Sequence, residues 1–554
     1  MKQRMKAPGV KLAAIIVAGL LFRLSLLSFV HNPGLHDPIH YFNLGTRLAA
    51  GQGFTIDYIW HYSNLPSDVL HPIDHWMPLA GAAAGIGIAL FGESSQAALF
   101  IFVLVGSLLP VLVFLAAKQL AQLESAAISA AAFAAFLPDL VWASLRTDTT
   151  ILNAIALCCS LILFNRGLRY GQRLSIVLCG FTAGLAYLTR NDSVLLLPVF
   201  ISVAALRVLC SGQRATIRKT ASLILALFVG FLLSVAPWLM RNLQELDMLG
   251  PAETSRMFFM VEHHDHYAYG LPISLESMLG RQSIADLLAK RTFELLAAFK
   301  QILVSFTLPL FALVLGGVGL LFRGRDQPLG GSERAFPAQA KSQAFSSLQR
   351  RAVRKQERLL LAAPAIIWLL GILLVYPILL PLKSQAGSFE KAFLSVLPLF
   401  LPFAALSLEH FLRGPRLRLA VVAALLAWLA FSSYGFVRQE TAKADLYYGS
   451  IEILIDTLED LPDLTGDDRL RIMTQDPYVF SYFGYESLMT PFASRADTLD
   501  LARRFDIDYL MMPPGRPALD PLYLGQESDQ RFLLVAHLPE AGEKPFELYR
   551  FVHD

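Results

Sequence analysis

The sequence predicts an all-α polytopic membrane protein that ends in a small α/β domain outside the bilayer. Three observations predict it. Of its 554 residues, 55% are hydrophobic and 16% charged, where soluble domains carry about 25% charged residues. Long apolar runs recur from residue 11 to residue 436, and a helix needs about 20 residues to cross. Beyond Arg438 the pattern changes to short mixed segments. The net charge of +3 gives no basic face for nucleic acid. Cys158, Cys159, Cys179 and Cys210 lie in or at the end of apolar runs without metal spacing, so they read as small core residues.

The first element is the apolar run Leu12 to Val30 behind a basic start, Met1 to Lys6. A cleaved leader has a shorter apolar core and a small-residue cleavage site. His31-Asn32-Pro33-Gly34 is no such site, so this run is expected to be an uncleaved span with its N-terminus in the cytoplasm. Further apolar runs cover about 77–91, 96–117, 125–138, 149–164, 174–189, 193–210 and 220–240. The loops with Arg166, Arg169 and Arg173, and with Arg214, Arg218 and Lys219, are placed in the cytoplasm by their positive charge. An even number of crossings must then precede Arg166. This holds only if 77–91, short and rich in Gly and Ala, lies on the surface. The first outer loop accordingly runs from residue 31 to 96 and carries two interfacial helices.

The rest follows from the same rule. A large outer loop spans 242–300 and a helix 301–322. The segment 323–358 holds nine Lys or Arg against three acidic residues, which makes it cytoplasmic. Helices at 359–382, 391–412 and 418–436 bring the expected spans to 11, within a membrane domain of residues 1–437. Residues 438–554 then lie outside. Within them, Tyr448–Leu461 and Leu499–Phe505 read as helices. Arg471–Thr474, Tyr509–Met512, Phe532–Ala536 and Phe546–Phe551 read as strands. This outer domain serves as a cap or contributes to substrate binding.

One outer stretch could carry chemistry. In His36-Asp37-Pro38-Ile39-His40-Tyr41, Asp37 precedes a proline, and Gly51-Gln52-Gly53 closes the segment. That is also the pattern of an ordinary capped helix. Tyr41, Leu44 and Leu48 share one face, as an interfacial helix needs.

Asp37 with Tyr41, followed by Leu48-Ala49-Ala50-Gly51-Gln52-Gly53, resembles the first-loop motif of the GT-C superfamily of membrane glycosyltransferases. Within it the likeness is to the protein O-mannosyltransferase and lipid A aminoarabinose transferase branch. Further similar motifs occur in order: His71-Pro72-Ile73-Asp74-His75-Trp76-Met77-Pro78, Leu137-Pro138 with Asp148, Leu188-Thr189-Arg190-Asn191-Asp192 and Pro237-Trp238-Leu239-Met240-Arg241-Asn242. Asp506-Ile507-Asp508-Tyr509-Leu510 and Leu548-Tyr549-Arg550 resemble the family's outer tail. The resemblance implies an inverting glycosyltransferase in the plasma (inner) membrane. It would move a sugar from a polyprenyl-phosphate donor to a hydroxyl of a lipid, glycan or protein acceptor. It further implies that Asp37 is the general base and that Asp148 serves the acceptor or positions the donor. A lipid phosphate leaves without the acid that a glycosidase needs, so one carboxylate and nearby positive charge suffice.

Arg146, Arg190 and Arg241 at outer helix ends, and Lys383 in a short outer loop beside Glu390, are candidate phosphate ligands. Arg241 is preferred among them because Pro237-Trp238 fixes the helix end beside it. Snorkelling to lipid headgroups is the competing reading for each. His75 and Asp192 are candidates for substrate contact, and Trp60, Tyr62 and Trp76 could stack on a sugar. Arg23, inside the first span, is expected to face the protein interior. His263, His264 and His266, with Asp74, are candidate zinc ligands joining two outer loops, or else a solvated polar loop. The competing functions are a transporter or lipid flippase, and a sensor using the outer tail. No internal repeat supports transport, and 11 spans exceed what an anchor needs. No glycine-rich phosphate loop supports a nucleotide-sugar donor.

Overall fold

The computed structural model describes residues 2–211, 214–252, 256–323, 347–380, 386–459, 470–538 and 546–552. Lys383 and the side chain of Cys210 lie outside what is described. Helix α1 (Lys2–Leu27) opens the membrane part. A segment follows with α2 (Asp37–Ala49), the short strands β1 (Thr55–Ile56), β2 (Tyr58–Ile59) and β3 (His71–Pro72), and α3 (Pro78–Phe91). Next come α4 (Ser95–Ala121), α5 (Glu124–Phe136), α6 (Pro138–Trp142), α7 (Thr149–Tyr170), α8 (Arg173–Thr189), α9 (Leu196–Ser211) and α10 (Arg214–Leu246).

Among the described residues, eight helices are long and apolar enough to cross a membrane, and one bent pair makes a ninth. Three shorter apolar helices, α3, α5 and α8, accompany them; α5 and α8 lie where two of the eleven expected spans were placed. α5 has 13 residues, which reach only about 20 Å. Pro138, after Leu137, starts α6 rather than extending it. Helix α3, expected on the surface, packs on α2. A Cβ on Gly45 would sit 2.8 Å from both Ala84 Cβ and Gly85 N, so this approach requires glycine. Helices α8 and α10 meet in the same way, since a Cβ on Gly180 would sit 2.0 Å from Leu227 O. Small residues at contacts are how apolar helices associate where lipid offers no hydrophobic drive. Arg23 is fully buried and bonds Ser144 Oγ at 3.2 Å and Ala135 O at 2.9 Å. It ties α1 to its neighbours, as expected of a charge within a span.

The segment 242–322 departs from expectation. It holds α11 (Leu275–Arg281), and α12 begins at Ile284 and ends at Phe306. α13 (Leu308–Arg323) leaves at 101°, so the single helix expected at 301–322 is two. Pro309 has no amide hydrogen to continue α12, and Thr307 turns the chain with φ 63°. Then follow α14 (Ser347–Leu374), α15 (Ala386–Val396), α16 (Leu401–Phe411) and α17 (Pro415–Glu459). α17 is one helix of 45 residues, so the expected separate helix at 448–461 is its outer end.

The C-terminal part adds β4 (Arg471–Thr474), α18 (Pro477–Tyr482), β5 (Glu486–Met489), α19 (Arg495–Arg504), β6 (Tyr509–Met512), α20 (Asp520–Tyr523), β7 (Phe532–Leu538) and β8 (Phe546–Phe551). The sheet order is β2-β5-β4-β6-β8-β7. Four of these strands match the expected ones; β5 and β2 were not anticipated. Strand β2 comes from the first outer loop and pairs in parallel with β5, Tyr58 opposite Ser487. Tyr62 O–H donates to Met489 O. The C-terminal sheet therefore incorporates the segment after α1, and α18 sits on α2 through Asn43 Nδ2 to Tyr478 O at 2.8 Å.

Candidate active site

Asp37 is the first residue of α2, with His36 at the N-cap in a left-handed conformation, φ 62°. No side chain caps this helix. The local pattern suggested that Asp37 would cap; instead its Oδ2 accepts from Lys391 Nζ at 2.7 Å. Asp148 does cap, at α7, accepting from Thr149 N at 2.5 Å. Its Oδ2 also lies 3.1 Å from Lys391 Nζ and 3.4 Å from Arg146 Nε. Thr147 Oγ1 donates to Pro38 O at 2.6 Å and fixes the two loops together. The result is two carboxylates bridged by one ammonium, with a guanidinium behind.

The two acids differ in access. The Asp37 side chain is 42% exposed and that of Asp148 is 0%, with Lys391 at 17%. Confinement among protein groups works to raise the pKa of Asp37, and Asp148 adds to that. The Lys391 ammonium outweighs both and holds it below the ordinary carboxylate value. Burial also opposes ionisation of Asp148, but Lys391 and Arg146 hold it well below the usual range. His40, one turn along α2, is pushed down to about 3 by burial, against the pull of Asp37. It is neutral at neutral pH. Tyr41 is buried, and burial together with Asp37 and Asp148 keeps its phenol protonated.

The other expected residues divide. Arg190 Nη2 bonds Asp192 Oδ2 at 2.7 Å, Tyr376 Oη at 3.2 Å and Ser388 O at 3.2 Å. Ser388 begins the turn of α15 that carries Lys391, so this pair borders the carboxylate cluster. Arg241 is committed elsewhere. Its Nη1 donates to Ile73 O at 2.7 Å, its Nη2 to Phe54 O at 2.9 Å, and its Nε pairs with Glu245 at 2.6 Å. It clasps the first outer loop. His75 Nδ1 lies 3.2 Å from Ala252 O, and its ring meets Trp60 and Trp76. Trp76 in turn stacks on His40 with centroids 3.9 Å apart.

The expected zinc ligands do not converge. Asp74 pairs with His61 at 3.0 Å, His264 stacks on Phe492 at 3.8 Å, and His263 Nδ1 lies 3.3 Å from Tyr267 Oη. Among the described residues no three His, Cys, Asp or Glu could share an ion. The acid of that segment is Asp265, which is buried and bonded to Arg281 at 2.6 Å.

Sequence reasoning missed Lys391. It stands at the head of the helix expected at 391–412, and the one signal was a lone ammonium facing an apolar run. A cavity of about 410 Å³ lies elsewhere, lined by Gln119, Asn165, Arg166, Arg169, Tyr170, Gln172 and Leu361. It shares no residue with the carboxylate cluster.

Residues 71–240 match the family model of dolichyl-phosphate-mannose-protein mannosyltransferases. No curated protein matches the sequence. Among solved structures, apo ArnT from Cupriavidus metallidurans superposes with a TM-score of 0.57 at 15% identity, covering 98% of this chain and 97% of that one. The same protein bound to undecaprenyl phosphate gives 0.54 at 15%, covering 97% of each chain. The Archaeoglobus fulgidus oligosaccharyltransferase in complex with Zn and sulfate gives 0.55 at 14%, covering 90% of this chain and 68% of that one. With the family match and the whole-chain superpositions pointing the same way, the chain is a multi-pass membrane protein with the fold of the GT-C glycosyltransferases.

Proposed function

We propose that the protein is an inverting glycosyltransferase. It moves a sugar from a polyprenyl phosphate to an acceptor hydroxyl on the outer face of the membrane. The observation that carries this reading is the Asp37 carboxylate, accessible at a loop–helix junction and paired with Lys391, which also meets Asp148, itself paired with Arg146. The acceptor oxygen attacks the anomeric carbon from the face opposite the phosphate. The new C–O bond forms as the bond from carbon to phosphate oxygen breaks. The acceptor proton passes to Asp37, and the polyprenyl phosphate leaves with the bonding electron pair. Its added negative charge is stabilised by the neighbouring cations, an effect that is strongest where water is excluded. Asp148, fully buried, cannot meet the acceptor; it positions Lys391.

Two findings support this donor class. The fold is shared with a protein whose structure holds undecaprenyl phosphate, and the matched family is described by a dolichyl-phosphate sugar. Sidedness rests on charge: the loops around Arg166 and Arg214 lie at the other ends of the helices that bring Asp148 and Arg190 to the site. The test is turnover by purified full-length protein in lipid nanodiscs, given a panel of polyprenyl-phosphate sugars. One member should be bound and consumed; a panel that neither binds nor reacts would overturn the donor class.

A further inference from the structure

We propose that Lys391 is a lock on the base: it holds Asp37 in an ion pair until the phosphate of a lipid-linked sugar draws it away. This rests on the donor reading above and adds the order in which the site is armed.

The geometry has two unequal halves. Lys391 is held on one side by Asp148, which has no exposed surface, and on the other by Asp37, whose side chain is 42% open. An arriving anion reaches the open half. Asp148 stays as the tether about which the ammonium pivots, since lysine is a compact charge on a flexible stem. A phosphate entering beside Lys391 competes directly with Asp37 for the ammonium.

The chemistry of the base requires such a release. A carboxylate paired with a lysine at 2.7 Å is a weaker proton acceptor than a free one. The charged groups facing Asp37 are Lys391 and Asp148 and the neutral titratable ones are His40, Tyr41 and Tyr58, with Arg146 and Glu390 next behind them. With the ammonium turned from Asp37 to the phosphate, confinement is the largest influence left on Asp37, and it strengthens Asp37 as a base. Donor binding would thereby switch on the group that activates the acceptor. Proton abstraction without a donor in place would be suppressed. Lys391 is a positioning residue in this scheme, acting through Asp37.

The test is infrared titration of the protonated carboxyl band of Asp37 in the full-length protein, assigned by its loss in D37N. The probe is undecaprenyl phosphate, with lipid occupancy read separately by native mass spectrometry. In the wild type, the midpoint should rise by about one pH unit or more on lipid binding, tenfold in proton affinity. In K391Q it should start high and stay there. K391R, which keeps the buried charge opposite Asp148, should still respond to lipid, and it serves if K391Q does not fold. A bound lipid that leaves the wild-type midpoint unmoved, or moves K391Q equally, would overturn the lock alone. Failure of the wild type to bind any lipid phosphate would overturn the donor reading and the lock with it.

Discussion

Two aspartates of the first outer loop, Asp37 and Asp74, make an instructive pair. Both are held below the ordinary carboxylate value against the effect of burial. Asp74 is closed in: its side chain is 5% exposed, with His61 at 3.0 Å and Asn64 at 3.3 Å as partners. Asp37 is 42% exposed and pairs with one flexible cation. A satisfied, enclosed carboxylate builds the loop, whereas an open one with an exchangeable partner can do chemistry. Perturbed titration alone does not separate the two; access does.

The largest effect should come from Asp37→Asn. Transfer should fall by about 10²–10⁴-fold, the range for losing a general base, with the melting temperature unchanged, as read by product formation alongside thermal unfolding. Asp74→Ala should do the reverse. Leaving the His61 and Asn64 donors without an acceptor costs about 1–3 kcal/mol, seen as a lower melting temperature with activity per folded molecule preserved. The sign with pH is fixed. The folded Asp74 carboxyl titrates below its unfolded value, so its contribution is complete above about pH 4 and lost as pH falls through the depressed folded value. The gap between wild type and Asp74→Ala should therefore narrow below about pH 4.

Arg241→Gln should sit between the two aspartates in kind and below both in size. It removes donors to Ile73 O and Phe54 O and should cost about 1–2 kcal/mol, with affinity for undecaprenyl phosphate unchanged. A tenfold loss of lipid affinity at full stability would move Arg241 into the donor site. The smallest effect is expected for His264→Ala, which loses one stack on Phe492, worth about 0.5–1.5 kcal/mol. Activity should survive it, and a collapse of activity with metal loss would restore the histidine segment to a functional role.

Much of this was legible in the sequence. Hydropathy and loop charge place the spans, because a bilayer demands long uninterrupted helices. Alternation and turn residues place β4, β6, β7 and β8. Other features were not readable. The bend between α12 and α13 hides in one apolar stretch, since Leu308-Pro309 can start a helix as well as stop one. β2 joins the sheet through Ser487 and Leu488, a pairing between opposite ends of the chain that no local pattern encodes. Asp37 was legible because its motif is contiguous. Lys391 was not, because it reaches the site only when α15 folds beside α7, and a single lysine carries no spacing. The histidine segment shows the converse: the rings of His263 and His266 pack on each other and on Tyr267 while His264 turns to Phe492, a division that adjacency in sequence does not reveal.

The central claim is that one carboxylate drives one displacement. The measurement that tests it most directly is the anomeric configuration of the product, read by NMR after transfer from a donor of known configuration. Inversion is expected. A product that keeps the donor's configuration would require a second displacement on an enzyme nucleophile and would contradict it.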